Sequence, residues 1–114
     1  MKSKLFLLPL FFLLLLFGCN KDKITLEVLS PKDDSEFLIT DEIEVKVTAS
    51  TQKGSIIQVQ LDVNGLDLIS LTNRPYNFTI PKGTFPEKGI YYLSVTAFSS
   101  KGMQEGNAIY IKII

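Results

Sequence analysis

Cys19 is the only cysteine of the chain, which also has no histidine and no tryptophan. A thiol nucleophile needs a neighbouring base, and a disulfide needs a second cysteine in the chain. Neither is available. The remaining groups with chemical capacity are carboxylates. Asp62 and Asp67 bracket the dipeptide Asn64-Gly65, and Asp33, Asp34 and Glu36 cluster after Pro31. General acid–base catalysis needs a group whose pKa is tuned in a pocket. The Asp62/Asp67 pair flanks a tight, exposed turn instead, and reads as charged hairpin ends that keep a fold soluble. The Asp33/Asp34/Glu36 cluster occupies a segment with turn composition, where aspartate and proline are at home as solvated turn residues. No catalytic residue, no cofactor and no metal are expected, and the chain reads as a non-enzyme.

The surroundings of Cys19 suggest a different chemistry. Lys2 and Lys4 precede thirteen apolar residues, Leu5 to Phe17, interrupted only by Pro9. A membrane-spanning helix needs about 20 apolar residues, and proline removes a backbone donor. A basic start, a short apolar stretch and a small residue at its exit describe a secretion signal, with the basic end held on the cytoplasmic side. The exit, Leu16-Phe17-Gly18-Cys19, resembles the bacterial lipobox, which ends in a small residue followed by an obligatory cysteine. The resemblance implies a signal over residues 1–18, cleavage before Cys19, and diacylglycerol plus palmitate-type acylation at Cys19. Two or more acyl chains anchor stably, since each buried methylene adds about 0.8 kcal/mol. Residues 19–23 are then a lipidated cysteine and a short polar tether. A charged tract after the cysteine acts as a surface-export signal in Bacteroidota-type lipoproteins, and Lys21-Asp22-Lys23 is a sparse version of it. An outer-membrane lipoprotein is expected. Outer-leaflet display and periplasmic-facing attachment both remain open.

Residues 19–114 make one domain of 96 residues. A chain of that size buries somewhat over 60% of its unfolded surface, roughly, enough for one modest core. Without Lys2 and Lys4 the charge is ten basic against twelve acidic side chains. The basic residues are scattered along the sequence, so no nucleic-acid partner is expected.

The elements that must position any site follow from a period of two. Ile24, Leu26 and Val28 alternate with polar residues, as do Ile43, Val45, Val47 and Ala49. Ile57, Val59, Leu61 and Val63 repeat the pattern and run into Asn64-Gly65, a strong hairpin indicator because both central positions need φ > 0. The spacing predicts a partner strand over 66–71, a short strand over 76–80 after Arg74-Pro75, and a strand opened by Gly89 with Tyr91, Leu93, Val95 and Ala97 inward. Ile109, Ile111 and Ile113 close the chain. About seven short strands with turns at this spacing predict an all-β antiparallel sandwich of two sheets over residues 24–114.

These residues resemble the bacterial Ig-like domain of secreted and surface proteins. The resemblance rests on Val59-Gln60-Leu61-Asp62-Val63-Asn64-Gly65, on Pro75-Tyr76-Asn77-Phe78-Thr79, and on Gly89-Ile90-Tyr91-Tyr92-Leu93-Ser94-Val95-Thr96-Ala97. It implies an Ig-like fold with Tyr91 as a corner tyrosine whose hydroxyl bonds backbone. Such motifs specify fold and leave function open. Many members carry aspartates where this chain has Thr51 and Ser99, and some related domains bind calcium through loop carboxylates. Calcium takes six to eight oxygens, roughly, and these loops supply no acid. Asn77-Phe78-Thr79 fits a glycosylation sequon, read as coincidence in a bacterial lipoprotein.

One surface is a candidate for binding. Gln58, Gln60, Asp62, Tyr92, Ser94, Thr96 and Tyr110 share the outward register of strands that an Ig-like sandwich places in one sheet. Phe85 and Phe98 are expected to add apolar surface near opposite ends. Tyrosine is enriched at interfaces, and sugars or proteins suit such a face. Exposed aromatics also stabilise sheets through cross-strand pairs worth about 0.2–1 kcal/mol. Two functions remain open: a lipid-anchored envelope module for adhesion or accessory binding of protein or glycan, and a structural spacer or subunit of a larger envelope assembly without a ligand of its own.

Overall fold

The computed structural model describes residues 23–114, which form eight strands and no helix. In chain order they are β1 (Ile24–Ser30), β2 (Ser35–Phe37), β3 (Ile43–Thr51), β4 (Ile56–Val63), β5 (Asp67–Leu71), β6 (Tyr76–Ile80), β7 (Gly89–Ser99) and β8 (Gln104–Ile113). Strands β1-β3-β6 make one sheet and β2-β8-β7-β4-β5 the other.

Alternation decides which face each strand buries, because successive side chains of a strand point to opposite sides. β3 carries it without a fault: Ile43, Val45, Val47 and Ala49 are buried, and Glu44, Lys46, Thr48 and Ser50 are exposed. Val59, Leu61 and Val63 of β4 meet Leu93, Val95 and Ala97 of β7 on the inner face of the larger sheet, all fully buried. Tyr76, Phe78 and Ile80 of β6 and Ile109, Ile111 and Ile113 of β8 complete the core. β-branched residues dominate it, the side chains whose stiff rotamers suit a pleated, packed surface.

Four particulars differ from the sequence pattern. Ile57, placed inward by alternation, is 50% exposed, because a bulge between Ile56 and Gln58 inserts one residue into the β4–β7 ladder and turns Ile56 toward the core instead. The strand after the hairpin begins at Asp67, not Leu66. Leu66 N–H closes the Asn64-Gly65 turn onto Val63 O at 2.7 Å, and Val63 then faces Asp67, leaving Leu66 outside the ladder. Phe85, expected at the surface, is buried and stacks against Tyr91 with ring centroids 4.7 Å apart. The eighth strand, β2, pairs parallel to β8 through Ser35–Phe37, so the sandwich is not wholly antiparallel. The sequence marks Phe37 and Leu38 as a short extended piece, but three residues in a polar turn leave too little periodicity to reveal their partner strand or its direction.

This register makes a sharp expectation. Leu61→Ala opens a void in the shared core and should cost about 2–5 kcal/mol, whereas Ile57→Ala, at the exposed residue of the bulge, should stay within about 0.5 kcal/mol. Equilibrium urea unfolding of both variants checks it, and equal losses would show that β4 does not bulge at Ile56–Gln58.

Candidate functional site

Strands β4, β7 and β8 bring the outward candidates onto one face of the larger sheet. Tyr92 lies directly opposite Tyr110. One rung further, Asp62, Ser94 and Ala108 form a row, followed by Gln60, Thr96 and Gly106, and then by Gln58, Phe98 and Gln104. Aromatic side chains therefore mark both ends of the face, with small and polar residues between them. Tyr110 is 53% exposed, while Tyr92, Gln58, Gln60, Asp62, Ser94, Thr96 and Phe98 are half-buried.

Not every predicted member of the face is free to meet a ligand. Asp62 Oδ1 accepts the Gly65 N–H at 2.8 Å and so holds the hairpin turn. Asn64, with φ of 50°, turns its Oδ1 back to accept the Tyr92 N–H at 3.2 Å. The hairpin is thereby fastened to β7 beside Tyr92, which fixes the start of the tyrosine pair. Tyr110 is fixed from the other side. Asp33 Oδ1 accepts its N–H at 2.8 Å, and its carbonyl accepts the Asp34 N–H at 2.8 Å. The acidic turn thus supplies the bonds that a neighbouring strand would give to β8, through the Asp33 carboxylate and the Asp34 main chain. Glu36 lies 4.0 Å from Lys112 at a well-exposed site, where an ion pair contributes little. Among the described residues, no three metal-ligating side chains come together.

Beside Tyr110 the face continues into a shallow groove of about 230 Å³ formed by Asp34, Glu36, Ile90, Tyr110 and Lys112. Ile90 is 71% exposed there. A larger groove, of about 560 Å³, lies on the smaller sheet between Glu27, Thr48 and Ser50 on one side and Arg74, Pro75 and Tyr76 on the other. Alternation does not predict it. It exists because β6 pairs with β3 only as far as Val47–Tyr76, while β3 runs on to Thr51. The break at Asn73-Arg74-Pro75 is the sequence feature that marks it. Its lining combines the hydroxyls of Thr25, Thr48 and Ser50 with the charged groups of Glu27 and Arg74.

The sequence profile of the bacterial Ig domain matches residues 25–97. The chain belongs to the bacterial Ig domain family. No curated protein sequence matches it. Among solved structures, the fibronectin(III)-like modules of Clostridium thermocellum CbhA superpose with a TM-score of 0.66 at 23% identity, covering 78% of this chain and 94% of theirs. The PKD1 domain of Vibrio anguillarum Epp superposes with a TM-score of 0.51 at 14% identity, covering 82% and 94%. At such identities these likenesses concern the fold.

Within this Ig domain the corner tyrosine is in place: Tyr91 Oη donates to Glu87 O at 2.6 Å and ties the β6–β7 crossing to the strand it enters. Where many family members carry a loop aspartate, Ser99 is buried and its Oγ accepts the N–H groups of Lys101 and Met103, both at 3.2 Å. The hydroxyl organises the β7–β8 turn itself. Cys19, the lipobox and the tether to residue 22 lie outside the described residues.

The two kinds of tyrosine separate in a stability measurement. Removing the Tyr91 hydroxyl as Tyr91→Phe should cost about 0.5–1.5 kcal/mol, the net value of one such hydrogen bond. Tyr110→Phe, at an exposed ring, should remain within about 0.5 kcal/mol. Thermal unfolding followed by circular dichroism reads both, and an equal loss at Tyr110 would assign that residue to the scaffold.

Proposed function

We propose that this Ig domain is a lipid-anchored, non-catalytic module of the bacterial cell envelope that binds a protein or glycan through its Tyr92–Tyr110 face. Bacterial Ig-like domains are typically surface or extracellular modules, which supports an envelope location. The observation that carries the binding reading is the exposed apolar patch at one end of the face. Ile90 and Tyr110 stand open beside the groove rimmed by Glu36 and Lys112. Large apolar side chains grouped on a rigid sheet and rimmed by charge are what association surfaces present. Gln58, Gln60 and Thr96 add amide and hydroxyl groups that suit hydrogen bonding to a polar partner.

Position along the sandwich favours the same surface. The chain enters β1 at Ile24, opposite Thr51, at the end of the sandwich where β3 finishes. Tyr110 and Ile90 sit near the start of β7 and the finish of β8, at the other end. An acylated Cys19 would hold the first end at the membrane and present the second outward in either leaflet. Anchoring then supplies high local concentration at the envelope, so a modest intrinsic affinity suffices.

Two measurements test the proposal. Mass spectrometry of protein taken from membranes should give residues 19–114 plus acyl chains, and Cys19→Ala should lose both the mass increment and the membrane fraction. A soluble product with an unmodified thiol would overturn the anchor. Tyr110→Ala combined with Ile90→Ser should reduce binding to envelope extracts or glycan arrays at least tenfold while leaving the unfolding midpoint nearly unchanged. Unaltered binding would move the site elsewhere, and no binding by either protein would favour the spacer or assembly-subunit role.

A further inference from the structure

Charge in this domain is segregated by the two ends of the sandwich. The end where β1 begins is built from the start of β1, the β3–β4 loop, the segment before β6 and the β7–β8 turn. These parts are joined: Ser55 N–H donates to Ser100 Oγ at 3.0 Å, and Ser100 N–H to Ser55 O at 2.8 Å. Arg74 borders a small groove with Gly54, Ser55 and Tyr76, so the segment before β6 reaches the same tip. The tip holds Lys23, Lys53, Arg74 and Lys101, and residues 50–56, 72–75 and 99–104 contain no Asp or Glu. Glu27 and Glu105 are the acids nearest to it along the strands, opposite Thr48 and Ala97. Two apolar side chains stand among the cations, Met103 at 37% and Ile57 at 50% exposed. The other end is more acidic, with Asp33, Asp34, Glu36, Asp41, Glu42, Asp67 and Glu87 against Lys32, Lys82, Lys88 and Lys112.

We infer that the basic tip is a docking surface for an anionic lipid bilayer, with the phosphate headgroups meeting Lys23, Arg74 and Lys101 while Met103 and Ile57 enter the interfacial layer. The inference rests on the proposed anchoring through Cys19. Three observations select a membrane as the occupant. The tip's charge is complementary to an anionic surface. Its apolar residues lie among the cations, as in surface-seated segments that combine basic and apolar side chains. The chain that precedes Ile24, carrying Cys19, enters the domain at this same end. A basic side chain near such a surface contributes about 1 kcal/mol, an effect confined to a Debye length. The short tether of residues 20–23 holds the tip within that range. Docking would orient the sandwich upright, because its acidic end is repelled by the same surface, and would keep the Tyr92–Tyr110 face clear of the headgroups.

The test uses the full lipidated chain carrying Met103→Trp, reconstituted into phosphatidylcholine vesicles with or without phosphatidylglycerol and doped with brominated lipid. The chain has no native tryptophan, so the probe reports alone. Docking predicts tryptophan quenching at least about fivefold stronger in the anionic vesicles, the factor that a single well-placed basic side chain already contributes. High salt should remove the difference, and so should Arg74→Glu with Lys101→Glu. A Leu66→Trp probe at the opposite hairpin should show no quenching in either vesicle. The salt dependence is read on unreversed charges, so it stands even if the double variant folds poorly. Vesicle-bound Met103→Trp protein whose tryptophan stays unquenched would overturn docking and leave anchoring intact. Equal quenching in neutral and anionic vesicles would overturn the role of charge. Protein that fails to float with any vesicle would overturn anchoring and docking together.

Discussion

The packing of one apolar face of β-branched residues against another is the interaction on which everything else in this chain depends. There is no second cysteine for a disulfide, no metal-ligating cluster among the described residues, and no helix among them to cover a sheet. The domain must therefore be held by Val45 and Val47 on the smaller sheet meeting Val59, Leu61, Leu93 and Val95 on the larger. A strict period of two is what makes this feasible, since a slip of one residue would turn the apolar set of a strand away from the core. β3 shows the constraint most plainly: shifted by one, it would bury Glu44 and Lys46.

Edges are the liability of such an arrangement, because an outer strand offers unpaired backbone groups to any passing chain. The domain answers with polar residues at positions where the alternation would place apolar ones. Glu105 and Asn107 face the same side of β8 as Ile109 and Ile111 but are exposed, so the first half of that strand carries no apolar invitation to pair. At its other half the edge is closed by β2 and by the Asp33 carboxylate acting on the Tyr110 N–H. The acidic turn is therefore a structural device first. The same bonds hold the Tyr110 main chain in place, and a rigid aromatic loses little freedom on meeting a partner.

How much of this was written in the sequence depends on whether a feature is local. The sandwich and its buried positions follow from alternation and turn chemistry, and Ile43–Ala49 or Leu93–Ala97 could hardly be read otherwise, whereas the corner tyrosine was implied by the resemblance to Ig-like domains. The tyrosine face was legible for the same reason, since outward positions are the complement of inward ones. What escaped was non-local. The Ile56–Gln58 bulge depends on where the β4–β7 ladder closes, and Phe85 is buried because Tyr91 lies across it. The groove beside β3 depends on how late β6 begins, which alternation within either strand does not encode. Asp62 illustrates the mixed case: its outward register was readable, yet its commitment to the Gly65 N–H is a property of the folded turn.

The two ends of the sandwich carry opposite demands, and the topology lets one short chain meet both. Antiparallel strands return every loop to one of two tips, so residues far apart in sequence gather by end: Lys53, Arg74 and Lys101 at one, Asp33, Asp41 and Asp67 at the other. A charge pattern that looks scattered along the sequence becomes polar along the strands. Fold stability does not require that separation, because exposed charges interact weakly with one another across a domain. An environment that differs at the two ends does give it a use. Under the proposed anchoring at Cys19, the nearer environment of the first strand is the membrane surface, and the acidic far end with its exposed Ile90 and Tyr110 is what remains open.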